Sequence, residues 1–133
     1  MCLKDLMQGE KYAFYSIVKY LVTIDGEFAE EEMNLMDEFL QEMQLEKEQV
    51  PDISPEDAIG MLKFSTPSTR KKIYIELIAV TLCDEYLHID EKEYLDRIAN
   101  DFLIDDELRD KLFEMVKELL EIYKRMRILT ETP

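Results

Sequence analysis

Acidic side chains recur in two stretches of the sequence that share one pattern. In each stretch an apolar helix end is followed by an aspartate, Asp25 or Asp84, and then by an acidic helix start that carries Glu32 or Glu93. Hard divalent cations such as Ca²⁺ and Mg²⁺ bind several carboxylate oxygens at once. If the two corners fold against each other, the pattern predicts a shared Ca²⁺ or Mg²⁺ site formed by Asp25, Glu32, Asp84 and Glu93.

The same four residues also have a purely structural interpretation. Acidic side chains are favoured in the first turn of a helix because they complement the helix dipole, and they also cover solvated faces. Residues 20–46 contain nine acids and no Lys or Arg. That composition suits either a bound cation or an exposed acidic face, so both interpretations stay open at this point.

Glu76 is a lone acid within the most apolar run of the chain, residues 73–83. Burying a carboxylate without a partner is costly. One interpretation places Glu76 at a surface edge, paired with Lys72 four residues earlier. The other makes it a ligand or half of a buried ion pair, so Glu76 is a weaker candidate for metal binding than the four acids of the corners.

Residues suited to catalysis are sparse. The chain has one histidine, His88, two well-separated cysteines, Cys2 and Cys83, and no glycine-rich phosphate loop. A serine or cysteine nucleophile needs a base beside it, and no such arrangement is visible. The sequence therefore predicts a non-enzymatic protein.

The charge balance restricts the partners. The 133 residues carry a formal net charge of −15, which repels phosphate backbones and anionic lipid. We therefore expect no nucleic acid and no membrane as a partner, and instead another protein or a second copy of the chain. A cytoplasmic location is expected, because no signal-peptide pattern is visible and the longest apolar run is too short to span a bilayer.

Apolar residues recur at spacings of three and four, which predicts an all-α fold. One domain, residues 1–133, is expected to form a compact bundle of about six helices. Two pseudo-repeated helical hairpins build it, the first at about residues 3–45 and the second at about 67–104. A linker with a short helix joins them at about 46–66, and a C-terminal helix follows at about 105–129.

Three local signals predict where helices begin. Ser54-Pro55 and Thr66-Pro67 each combine a capping residue with a proline in the first turn. Asp105 or Asp106 is expected to cap the last helix. In the first helix a single apolar stripe runs from Leu3 to Ile24 with one polar member, Glu10, so one continuous helix is predicted there.

The last predicted helix has more apolar surface than one neighbour needs. One stripe follows a heptad pattern, which is typical of a helix seam: Leu108, Leu112, Met115, Leu119, Ile122, Met126 and Leu129. A second stripe comprises Phe113, Val116, Leu120 and Tyr123. Either the helix lies deep in its own bundle, or one stripe is the seam of a homodimer, for which the second stripe is the candidate.

At the two acidic corners the chain resembles the TerB-like family, the helical domains named for the tellurite-resistance protein TerB. The family uses an Asp-Gly turn followed by a Glu early in the next helix, twice per domain. Asp25-Gly26 with Glu32 matches the first copy, whereas Asp84 with Glu93 matches the second copy without its glycine. The resemblance covers about residues 10–105. It implies a helical bundle, a bacterial cytoplasmic setting, a cation at the acidic turns and a role in protein interaction.

Overall fold

Helices and short turns make up the described part of the chain, which contains no strand. The computed structural model describes residues 3–24, 30–82 and 89–131. The expected all-α fold is therefore confirmed. The six α-helices are α1 (Gln8–Leu21), α2 (Glu30–Met43), α3 (Pro55–Leu62), α4 (Pro67–Leu82), α5 (Ile89–Asp101) and α6 (Asp106–Glu131).

The predicted helix starts are confirmed where local capping chemistry sets them. The Ser54 hydroxyl accepts a hydrogen bond from the Asp57 backbone N–H at 3.1 Å, with Pro55 in the first turn of α3. Likewise the Asp105 carboxylate accepts from the Leu108 N–H at 2.8 Å and begins α6. These bonds satisfy amides that have no partner within their own helix.

The first helix is not continuous as predicted. A short 3₁₀ turn spans Leu3–Asp5, and α1 begins only at Gln8. The reason is Glu10, whose carboxylate accepts from the Met7 N–H at 2.8 Å and from the Ser65 hydroxyl at 2.5 Å. Glu10, the polar member of the apolar stripe, therefore caps the start of α1 and ties it to the end of α3.

The core forms around α1 and α4, which contact each other. Helix α1 also packs against α2 and α3, whereas α4 packs against α5 and α6. Phe14 of α1 is fully buried and meets Phe39 of α2 edge to face, with ring centroids 5.1 Å apart. The Tyr74 hydroxyl donates to the Leu95 carbonyl at 3.1 Å, and burial, reinforced by the nearby charge of Asp96, raises the pKa of this phenol.

A constant spacing relates the two hairpins. Helix α4 begins 59 residues after α1, at Pro67 and Gln8. The first helix of each hairpin also packs against the helix that follows the hairpin, α3 on α1 and α6 on α4.

The same spacing of 59 residues separates the left-handed residues that follow α2 and α5. Gln44 and Leu103 both have left-handed backbone conformations, with φ of 57° and 60°. The next residue in each case, Leu45 or Ile104, is buried and donates its N–H to the carbonyl five positions earlier, at 2.9 and 2.8 Å. This is the Schellman arrangement, in which an apolar residue after the helix covers its last turn.

One basic side chain in each hairpin binds these helix ends. Lys11 Nζ donates to the Met43 carbonyl at 2.9 Å, and Arg70 Nε donates to the Phe102 carbonyl at 3.1 Å. Arg70 also donates through Nη1 to the Ser65 carbonyl at 2.7 Å. The arginine therefore joins the start of α4 to the ends of both α3 and α5.

Candidate functional site

The acidic corners lie mostly outside the described residues. Asp25 and Asp84 are among the residues that are not described, and Glu32 is in α2 but its side chain is not described. Glu93 lies in α5 and is exposed. Among the residues that are described, no group of three or more Asp, Glu, His or Cys side chains could hold a metal ion. The cation site therefore stays a prediction.

Glu91 is the acid that sequence reasoning missed at the second corner. Asp84 follows Asp25 by 59 residues, the same spacing that separates the starts of α1 and α4, and this spacing pairs Glu32 with Glu91 rather than with Glu93. Glu91 is only 4% exposed, whereas Glu93 is exposed. The signal was present in the sequence, because an alignment of the two corners without an insertion leads directly to Glu91.

Glu76 occupies a core position in α4. Its side chain is 6% exposed, and Ile17, which precedes it by 59 residues, is fully buried in α1. Lys72 is exposed and forms no ion pair within the described ranges. The predicted surface pair between Glu76 and Lys72 is therefore wrong, because α4 turns the carboxylate toward the bundle.

The predicted dimer stripe on α6 divides along the helix. Phe113 and Val116 are buried in the chain's own core, where α6 packs against α4, and the Lys92 ammonium lies 4.9 Å from the centre of the Phe113 ring. Leu120 is half-buried and packs against the same core, whereas Tyr123 is half exposed. The N-terminal part of this stripe, from Phe113 to Leu120, thus contributes to the core of the chain itself.

The heptad stripe presents the larger exposed surface. Residues 121–131 of α6 are all exposed, although Leu82 at the end of α4 lines one pocket together with Leu120, Tyr123 and Arg127. We use the term exposed seam for the apolar residues on one side of the second half of α6: Met115, Leu119, Ile122, Met126 and Leu129. Leu119 is half-buried, and the other four are 43–78% exposed.

An apolar groove lies at the base of the exposed seam, between α4 and α6. Its volume is about 330 Å³. Ile75 forms the α4 wall, and one acidic residue, Glu118, stands at the rim. The lining residues are Ile75, Leu112, Met115, Val116, Glu118, Leu119 and Ile122. The groove and the exposed seam together form one continuous apolar surface.

No family model, no curated protein and no solved structure matches this chain. The resemblance to TerB-like domains therefore rests on the two acidic corners alone. None of the helices within residues 3–24, 30–82 and 89–131 has the length and apolar character needed to cross a membrane.

Proposed function

We propose that the chain is a non-enzymatic helical interaction module that binds a protein partner through the exposed seam of α6. The observation that carries the proposal is the exposure of apolar side chains at heptad spacing along one side of α6, from Met115 to Leu129. A seam of this kind is what a partner helix recognises.

Physical chemistry supports a partner at this surface. A helix end whose residues are largely exposed gains little stability from tertiary packing. Burial of apolar area contributes roughly 25 cal/mol per Å², so a second helix on the exposed seam would stabilise both the segment and the complex. Arg125 and Arg127 add positive charge to this end of an otherwise acidic chain, which favours a partner with acidic side chains beside its apolar face.

Site-specific photo-crosslinking tests this proposal. With benzoylphenylalanine in place of Met126, in cells that produce the chain, we expect one discrete crosslinked product. Lys117 precedes Met126 by nine residues and lies on the opposite side of α6, so the same probe at Lys117 is the matched control and should give little product. Equal yields at the two positions, or no product at Met126, would contradict the proposal.

Membership of the TerB-like family, with a cation at the acidic corners, is the second part of the proposal. Two observations support it. Asp25 precedes Glu32 by the same seven residues that separate Asp84 from Glu91, and Glu91 is buried. The carboxylate oxygens of aspartate and glutamate are ligands that Ca²⁺ and Mg²⁺ prefer.

Calorimetric titration tests the cation. We expect Ca²⁺ or Mg²⁺ to bind the wild-type chain with measurable heat, and the heat to be lost in the Asp25→Asn, Asp84→Asn double variant. Glu107→Gln, which removes an exposed acid from the first turn of α6, is the control and should leave binding unchanged. Absence of heat with the wild-type chain would remove the cation from the proposal.

A further inference from the structure

We infer that the partner of the exposed seam is a second copy of this chain, whose α6 lies antiparallel to the first. The inference rests on the proposed function, because it names the occupant of the same surface. Three observations identify that occupant: the register of the apolar residues, the placement of two charged residues beside them, and the groove at the base of the seam.

The apolar residues define the layers of the pair. In an antiparallel pair centred between Leu119 and Ile122, Leu119 packs against Ile122 of the second copy, and Met115 packs against Met126 of the second copy. Each layer then occurs twice, because the two copies are related by a twofold axis. The layers combine a leucine with an isoleucine and two methionines with each other, so every layer is apolar.

Charge selects this register over its neighbours. Glu118 and Arg125 are both exposed, lie on the same side of the exposed seam, and form no ion pair with any described residue. In the register above, Glu118 meets Arg125 of the second copy, and the contact occurs twice. A shift of one heptad in either direction would place two Glu118 side chains or two Arg125 side chains together, which is unfavourable.

A parallel pair lacks these contacts. In that orientation the residue nearest Glu118 is Tyr123 of the second copy, so no ion pair forms along this side of the seam. The two bundles would also lie side by side, although each chain carries a net charge of −15. The antiparallel arrangement separates the bundles and brings the basic end of each α6 to the acidic body of the other chain.

The groove between α4 and α6 receives the end of the second helix. In the antiparallel register, Leu129 of the second copy reaches the level of Leu112, beside Ile75 in the groove wall. The contact is reciprocal, so each chain supplies one groove and one exposed helix end. Such an interface closes on itself and leaves neither seam exposed.

The seam between Met115 and Leu129 is about 21 Å long. An interface of this length lies near the lower limit of about 1,000 Å² for specific complexes, so we expect a dissociation constant in the micromolar range.

The test is sedimentation equilibrium of the purified full chain from about 2 to 200 μM, a range that brackets micromolar affinity. We expect the wild type to shift from monomer to dimer across this range. Glu118→Arg or Arg125→Glu alone should weaken dimerisation about tenfold or more by placing like charges together. The double variant should return to within about threefold of the wild type, because both ion pairs re-form with reversed sign.

The rescue by the double variant is specific to the interface. Glu118 and Arg125 are seven residues apart and therefore about 10 Å apart along the helix axis, so they cannot compensate each other within one chain. Ile122→Glu should abolish the dimer. Phe64→Glu is the control, because this side chain is 93% exposed and lies in the turn between α3 and α4, and it should leave the sedimentation mass as in the wild type. Circular dichroism checks that each variant is folded.

Two outcomes would overturn the inference in different ways. A wild-type chain that stays monomeric at about 200 μM, well above the expected dissociation constant, would exclude the second copy as the partner. The proposed interaction module would still stand if the Met126 crosslink then gave a product larger or smaller than twice the mass of the chain. A dimer that the double charge reversal fails to rescue would exclude the antiparallel register.

Discussion

Replacing Phe14 with alanine is expected to lower the free energy of unfolding by about 3–5 kcal/mol, the usual cost of deleting a fully buried phenylalanine. Phe14 is 0% exposed and lies in α1, one of the two central helices. The truncation would leave a cavity beside Phe39, whose ring it meets edge to face at 5.1 Å. Domains of this size are commonly stable by only about 5–15 kcal/mol, so the loss would be a large share of the total.

Urea denaturation followed by circular dichroism measures this effect. Phe64→Ala is the matched control, because the same atoms are removed from a side chain that is 93% exposed, and its effect should stay within about 0.5 kcal/mol. A change in midpoint without a change in slope would indicate a loss of stability alone. Equal effects of the two substitutions would show that the described packing of α1 is wrong.

Replacing Arg70 with alanine is expected to lower the free energy of unfolding by about 2–3 kcal/mol, since hydrogen bonds that involve a charged group are among the stronger ones. The guanidinium donates to the carbonyls of Lys63 and Ser65 after α3 and of Phe102 after α5. Truncation removes all three hydrogen bonds, so the ends of α3 and α5 are no longer linked through this side chain.

Two further substitutions make this measurement specific. Lys71→Ala removes the neighbouring base, which is exposed, and should change stability by no more than about 0.5 kcal/mol. Arg70→Lys should recover only part of the loss, because a single ammonium cannot reproduce the fork of the guanidinium. If Arg70→Ala and Lys71→Ala had the same effect in urea denaturation, the bridging role of Arg70 would be excluded.

Local chemistry made several elements predictable from the sequence. The start of α3 follows from Ser54 and Pro55, the start of α4 from Pro67, and the start of α6 from Asp105. Each signal acts within four residues of itself, through a capping hydrogen bond or the fixed φ of proline. The all-α class was also predictable, because the apolar spacing of three and four is a local pattern that repeats within each helix.

Tertiary contacts explain what sequence reasoning could not place. The Glu10 carboxylate binds the Met7 N–H at the start of α1 and also the hydroxyl of Ser65, which is 55 residues away in the chain. Glu76 is buried because α4 lies at the centre of the bundle, and the pattern of α4 alone, apolar nearly all round, does not say which side faces solvent. Such features depend on which helices become neighbours.

The candidate surface was predictable in part. The two apolar stripes of α6 are visible in the sequence, but only the structure shows that Phe113 and Val116 are used by the chain's own core. The surface that stays exposed is therefore that of the heptad stripe. Convergence of the acidic corners stays a prediction, because Asp25 and Asp84 lie outside the described residues.

The left-handed residues that end α2 and α5 bear on how autonomous each hairpin is. Glycine adopts this conformation at no steric cost, yet the chain has Gln44 and Leu103 there. The compensation is the burial of Leu45 and Ile104, side chains that find their apolar surroundings only once the remaining helices are in place. The ends of these two helices are therefore stabilised by tertiary burial. In a peptide excised from either hairpin that burial would be missing, and the helix would not be held to end at the same residue.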